Sequence, residues 1–258
     1  MKSKTSYSYY PLVLLLLSTC SVWAQRGPQD SWYLDREVDL PHMPGINSPR
    51  GIHVAPNGDV YVGDVNNNDD RISVWSADGS FKTGISSYGS GDSNIKNPYG
   101  VAFWNNELFV TDIDYHRIKI FDEYGNFIRK FGTQGSGDGQ MNNPRGICVD
   151  PEGLTGQELY VSDKNNHRIQ VFDLYGNFIR KFGTYGNGDG QLDDPRDVGI
   201  GPDGLVYVSS TDDQRMLVFQ KDGTYVRNFN TQSYPHNIAF IDSKIAVTTW
   251  AGHKVKIY

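Results

Sequence analysis

One register, repeated five times, limits what this chain can fold into more than any other feature. A proline opening a short apolar run recurs at Pro49, Pro98, Pro144, Pro195 and Pro235, at spacings of 49, 46, 51 and 40 residues. Self-similarity at such a period marks a repeat architecture. After each proline comes an aromatic or apolar pair, Tyr61-Val62, Phe109-Val110, Tyr160-Val161 and Tyr207-Val208, with Ala246-Val247 the weakest copy. Two residues on stands Asp64, Asp112 or Asp163, replaced by Ser210 and Thr249 in the last two units. A basic residue follows at Arg71, Arg117, Arg168, Arg215 and Lys254, and four positions later an aromatic, Trp75, Phe121, Phe172, Phe219 or Tyr258. Gly79, Gly125, Gly176 and Gly223 then mark hairpin turns, where a positive φ suits glycine.

Each unit therefore reads as short strands joined by tight turns, and the fourth strand is nearly duplicated between residues 126–132 and 177–183. Four antiparallel strands in about 45 residues is the pattern of a propeller blade. The expected fold is all-β, a β-propeller of four-stranded antiparallel blades with repeats at 49–86, 98–134, 144–184, 195–231 and 235–258. The fifth unit lacks a fourth strand of its own. The segment 32–40 is expected to supply it, closing a five-bladed ring and covering a strand edge. The alternative is a partial six-bladed propeller.

The run Asn166-His167-Arg168-Ile169-Gln170-Val171-Phe172, preceded by Tyr160-Val161-Ser162-Asp163 and Pro144-Arg145-Gly146-Ile147, resembles the NHL repeat. The resemblance spans roughly residues 48–258 and is weakest at Gly252-His253-Lys254. It implies a propeller, commonly of six blades, and a family made up mostly of interaction modules.

Lys2 and Lys4, the apolar stretch Leu12 to Leu17 and Val22-Trp23-Ala24 read as a signal peptide over residues 1–24. The apolar run falls well short of the roughly 20 residues that cross a bilayer, so no transmembrane segment is expected in the mature chain. A secreted or periplasmic location follows, the alternative being a lipoprotein anchored through Cys20. Removing residues 1–24 takes two positive charges and no acids from a net charge of −6, leaving −8. An acidic chain lacks the clustered cations that neutralise phosphates, which argues against a nucleic-acid partner. Cys148 is then the one remaining cysteine; it lies in an apolar run and reads as a small buried hydrophobe.

The recurring Asp, His and Arg read as braces of the loop between second and third strands, because a catalytic group is usually unique. Zinc is tested by a similarity to peptidyl-hydroxyglycine amidating lyase, which holds zinc through histidines beside the channel, with Pro-His pairs opening inner strands. Here only Pro235-His236 matches, against about three protein ligands for a catalytic zinc, and His42, His53 and His253 are scattered. The run 64–70 begins like a calcium loop, but Asp69 stands where the turn glycine belongs and Trp75 where the bidentate Glu belongs. No cofactor is expected, with an irregular calcium site as the alternative. The Gly-rich runs 135–140 and 186–191 precede strands rather than helices, so they read as inter-blade connections and not phosphate cradles.

The residues after the repeat prolines, Arg50, Tyr99, Arg145, Arg196 and His236, are expected around the channel mouth. A rim of Asp69, Asp70, Asp114, Asp138, Asp189 and Asp213 should encircle them. A monomeric binding module for a protein, peptide or small ligand is the expected function. The alternative is an exported enzyme of lyase or hydrolase type.

Overall fold

The computed structural model describes residues 46, 48–65, 70–250 and 254–258. Five antiparallel sheets follow one another, each built from consecutive strands in chain order. The first is Pro49–Val54, Val60–Asp64, Arg71–Trp75 and Phe81–Ile85. The second is Pro98–Trp104, Glu107–Asp112, Arg117–Asp122 and Phe127–Phe131. The third is Pro144–Gly153, Gly156–Asp163, Arg168–Asp173 and Phe178–Phe182. The fourth is Pro195–Ile200, Val206–Ser210, Arg215–Phe219 and Tyr225–Asn230. The fifth has three described strands, Pro235–Ile241, Lys244–Thr249 and Lys254–Ile257. These are the blades of a β-propeller. The segments 1–24 and 32–40 lie outside the described residues, and among those described no helix is long and apolar enough to cross a membrane.

Alternation along each strand sends one set of apolar residues to each face of the blade, and neighbouring blades share the cores so formed. Tyr61, Ile72 and Val74 of the first blade meet Val101, Leu108 and Val110 of the second. Phe109 and Ile120 meet Ile147, Leu159 and Val161 of the third. Tyr160, Ile169 and Val171, together with buried Cys148, meet Val198, Val208 and Leu217 of the fourth. Tyr207, Met216 and Val218 meet Ile238, Ile245 and Val247 of the fifth. The opposite face of the first blade carries its own cluster of Ile52, Val62 and Trp75. Burial of this kind, at about 25 cal/mol per Å², is what holds a fold whose repeats touch only their neighbours.

The recurring Asp and Arg brace loops, as their regularity requires. Asp163 accepts from Asn142 N at 2.6 Å and from Arg168 Nε at 2.8 Å. Arg168 goes on to donate to the carbonyls of Ser136, Gly137 and Gln140. Asp112 holds Lys96 N and Arg117 in the same way, and Ser210 Oγ substitutes by accepting from Asp193 N at 2.8 Å. His116 and His167 end short 3-10 turns with φ of 53° and 52°, and each Nδ1 accepts from a backbone N–H of the next blade, Asn143 at 3.0 Å and Asp194 at 3.4 Å. In the first blade Asp70 takes that post, accepting from Asn97 N at 2.7 Å. The Gly-rich connections bind themselves: Gly137 N and Gly188 N donate to the side-chain oxygens of Gln140 and Gln191.

Candidate ligand-binding face

All five inner strands break register between the proline and the third residue after it. Such a bulge re-aims the side chains within it, and the residues within it are Arg50, Tyr99, Arg145, Arg196 and His236 with their followers. The connection leading into each inner strand lies beside the loop between second and third strands: Val65 N donates to Ser48 O, Asn165 N to Asn142 O, Thr211 N to Asp194 O and Trp250 N to Tyr234 O. One face of the propeller therefore carries both sets of loops, as the repeat register implies.

A hydroxyl on the second strand fixes the bulge of the next blade. Thr111 Oγ1 accepts from Gly100 N at 2.7 Å and donates to Arg145 O at 2.9 Å. Ser162 Oγ does the same between Gly146 N and Arg196 O, and Ser209 Oγ between Asp197 N and His236 O. These struts hold the backbone of three of the five mouth residues. They went unread in the sequence although the signal was there, in the Thr or Ser that follows the second-strand pair in every unit but the first, where Gly63 stands.

The mouth residues come together in two contacts. Arg145 lies over the Tyr99 ring with its guanidinium carbon 4.8 Å from the centroid, while its Nε donates to Asn143 Oδ1 at 3.1 Å. Tyr99 is only 4% exposed, so it supports the guanidinium from below rather than offering its own face. Arg196 donates from Nε and Nη2 to Asp194 Oδ2 and meets His236 Nε2 at 2.7 Å. A guanidinium can only donate, so His236 accepts at Nε2 and carries its proton on Nδ1. Burial, then the charges of Arg196, Arg145 and Arg50, lower His236 to about 4. The imidazole is thus neutral at pH 7. Arg50 is exposed, and its charge is among those that depress His236.

Of the expected acidic rim, Asp69 lies outside the described residues. Asp70 is buried as an inter-blade staple, Asp213 pairs with Arg215, and Asp114 pairs with Lys96 at 3.2 Å. Asp138 lies at the blade periphery instead, paired with Lys181 of an outer strand, because the Gly-rich connection reaches across the third strand of the next blade. The acid that contacts a mouth side chain is another, Asp194, which binds Arg196 at 2.9 Å. Asp193 and Asp194 enter the fourth blade beside Asp212, whose N–H donates to Asp193 O at 3.3 Å. Among the described residues no three His, Cys, Asp or Glu side chains form a metal-holding group; His53 is buried in the first blade, and His42 and His253 are outside those described.

Asp197, next to Arg196, was not singled out by the repeat pattern. It is fully enclosed, accepts from Ile238 N and Val198 N, and is raised by burial to about 7. An acid whose folded pKa exceeds its unfolded one keeps its proton in the folded state while the unfolded chain releases it. Stability should therefore fall as pH rises from about 4 to 7. Asp197→Asn keeps an acceptor for Ile238 N without the charge, and is expected to flatten that slope in denaturant melts across pH 4–8. An unchanged slope would show that Asp197 is ionised throughout.

Fold and face together define a propeller that presents bulged inner strands to a common centre. Its repeat is the NHL repeat: the NHL repeat family matches residues 141–172, and a family described as a 6-bladed beta-propeller matches residues 92–155. The chain is a β-propeller that carries an NHL repeat. A stretch of 40 residues is 52% identical to RING finger protein nhl-1 of Caenorhabditis elegans, covering 16% of this chain and 4% of that protein. Among solved structures, one described as a nidogen/laminin complex has a TM-score of 0.66 at 19% identity, covering 81% of this chain and 74% of that one. Virginiamycin B lyase from Staphylococcus aureus has a TM-score of 0.56 at 17% identity, covering 81% and 69%. At those identities the likeness is one of fold.

Proposed function

We propose that this chain is an exported binding module that takes a protein, peptide or small ligand at the mouth formed by Arg50, Arg145, Arg196 and His236. The observation that carries the reading is an uncompensated positive centre on an acidic protein. Among the described residues no carboxylate lies within ion-pair distance of Arg50 or Arg145, whereas Arg196 is tied to Asp194. A guanidinium with free nitrogens, packed on an aromatic ring, is preorganised to fork onto an anion. A nidogen/laminin complex among the similar folds supports the use of this architecture for protein partners.

Capture from the exported fraction tests this, comparing the wild-type chain with Arg50→Glu/Arg145→Glu. Both guanidiniums are partly solvated, so the variant should melt within a few degrees of wild type while losing the captured partner by at least tenfold. Retained capture would move the site away from the mouth.

His236 favours a second reading, a lyase, because it is an imidazole at the mouth of a fold shared with virginiamycin B lyase. Stoichiometric zinc in the purified chain, removed by chelation together with an activity on small substrates, would establish it over the binding module.

A further inference from the structure

The mouth is bordered on the fifth-blade side by two large exposed aromatics. Trp250 is 62% exposed and Tyr234 is 40% exposed; Trp250 N donates to Tyr234 O at 3.0 Å, and the Trp250 ring lies 5.9 Å from that of His236. On the fourth-blade side the environment is acidic. Asp193 is pushed above its ordinary value by burial and by Asp212, Asp213 and Asp194, with His167 opposing. A cationic centre thus has an apolar platform on one side and a group of carboxylates on another, of which Asp194 is paired with Arg196 and Lys164 and Asp213 with Arg215, while among the described residues no Lys or Arg pairs with Asp193 or Asp212.

We infer that the ligand of this mouth is a peptide segment bearing one acidic side chain beside an aromatic or aliphatic one. The inference rests on the reading of the mouth as a binding site and names what fills it. The acidic group meets the free nitrogens of Arg50 and Arg145, and the apolar neighbour covers Trp250 and Tyr234. Trp, Tyr and Arg are the residues that dominate the centres of protein interfaces, and here all three stand together. A chain of repeated negative charges, such as a nucleic acid or an acidic polysaccharide, would bring its flanking charges against Asp193 and Asp212, where like charges repel and select against it. An inorganic anion would leave the aromatic platform uncovered.

The test is an array of acetylated, amidated hexapeptides, each holding one Glu or Asp next to Phe, Trp or Leu, titrated against the whole chain by calorimetry. A subset should bind. Changing its acid to the amide should weaken binding at least tenfold, and Arg145→Ala and Trp250→Ala should each weaken it at least fivefold with unchanged melts. Heparin and polyglutamate should neither bind nor compete. Polyanions binding more tightly than the single-acid peptides, or amide peptides binding as well as acidic ones, would overturn the inference. If no peptide binds while Arg50→Glu/Arg145→Glu still abolishes capture of the exported partner, the peptide class is wrong and the mouth stands. If those charge reversals leave all capture intact, the mouth itself is wrong.

Discussion

Arg168→Ala should cost the fold about 3–5 kcal/mol, the range for breaking a buried ion pair by removing one partner. For a domain of this size that lowers the melting temperature by roughly 10 °C. Arg168 is 6% exposed and Asp163 fully buried. The guanidinium satisfies Asp163 and three carbonyls of the connection that enters the third blade. Its loss strands a buried carboxylate whose protonation burial already favours over the bonds from Asn142, Asn166 and Arg168. It also removes one donor each from the carbonyls of Ser136, Gly137 and Gln140, of which Gly137 O keeps Gln140 N and Gln140 O keeps Gln170 Nε2. Arg168→Lys should recover only part of the loss, since an ammonium cannot fork onto four oxygens at those angles. Lys181→Ala is the control, because Lys181 and Asp138 make an ion pair with side chains 45% and 56% exposed, and such pairs contribute about 0–1 kcal/mol. Equal melting of the Arg168 and Lys181 variants would show that the repeat arginine is not a brace.

That contrast shows what the sequence made legible. The blade register could be read because each recurring residue meets a local need that recurs with it: Pro where a strand begins, Gly where a hairpin turns back, Asp and Arg where a loop must be tied. Gly125 and Gly176, at φ of 89° and 94°, were placed by that logic alone. The bulge positions of Arg50, Tyr99, Arg145, Arg196 and His236 were legible for the same reason, as the position after each proline. What could not be read is set by contacts between blades. Nothing in the spacing says that Tyr99 lies beneath Arg145, that Arg196 is shared between Asp194 and His236, or that Asp138 reaches an outer strand. Asp197 was invisible because it breaks the pattern: Gly51, Gly100 and Gly146 hold the equivalent position, and at Gly146 a Cβ would fall 2.3 Å from the Asp197 carboxylate. The side chain of one blade occupies the space that glycine leaves in the one before.

Deleting residues 29–41 should destabilise the whole domain and broaden its unfolding. The last strand, Lys254–Ile257, pairs on one side with Lys244–Thr249, and among the described residues no strand lies on its other side. Asn230, Thr231, Gln232, Lys256 and Tyr258 line a depression where that strand meets the end of the fourth blade. An open edge of this kind invites pairing with another chain unless something covers it. The run from Trp32 to Leu40 has the pattern to do so. Trp32, Leu34, Val38 and Leu40, with Arg36 among them, would share one face of a strand, and Asp35, Glu37 and Asp39, with Tyr33, the other. The acidic face suits an edge that carries Lys254 and Lys256. Because repeats gain stability from their neighbours, an uncovered terminal blade frays and exposes the next, so the truncated chain should melt more than roughly 10 °C lower. A synthetic peptide of residues 29–41 should restore the melting temperature in proportion to its concentration, as mass action requires of a segment that binds only the folded state. A truncated chain that melts as high and as cooperatively as the parent, and that ignores the peptide, would show that another element covers this edge.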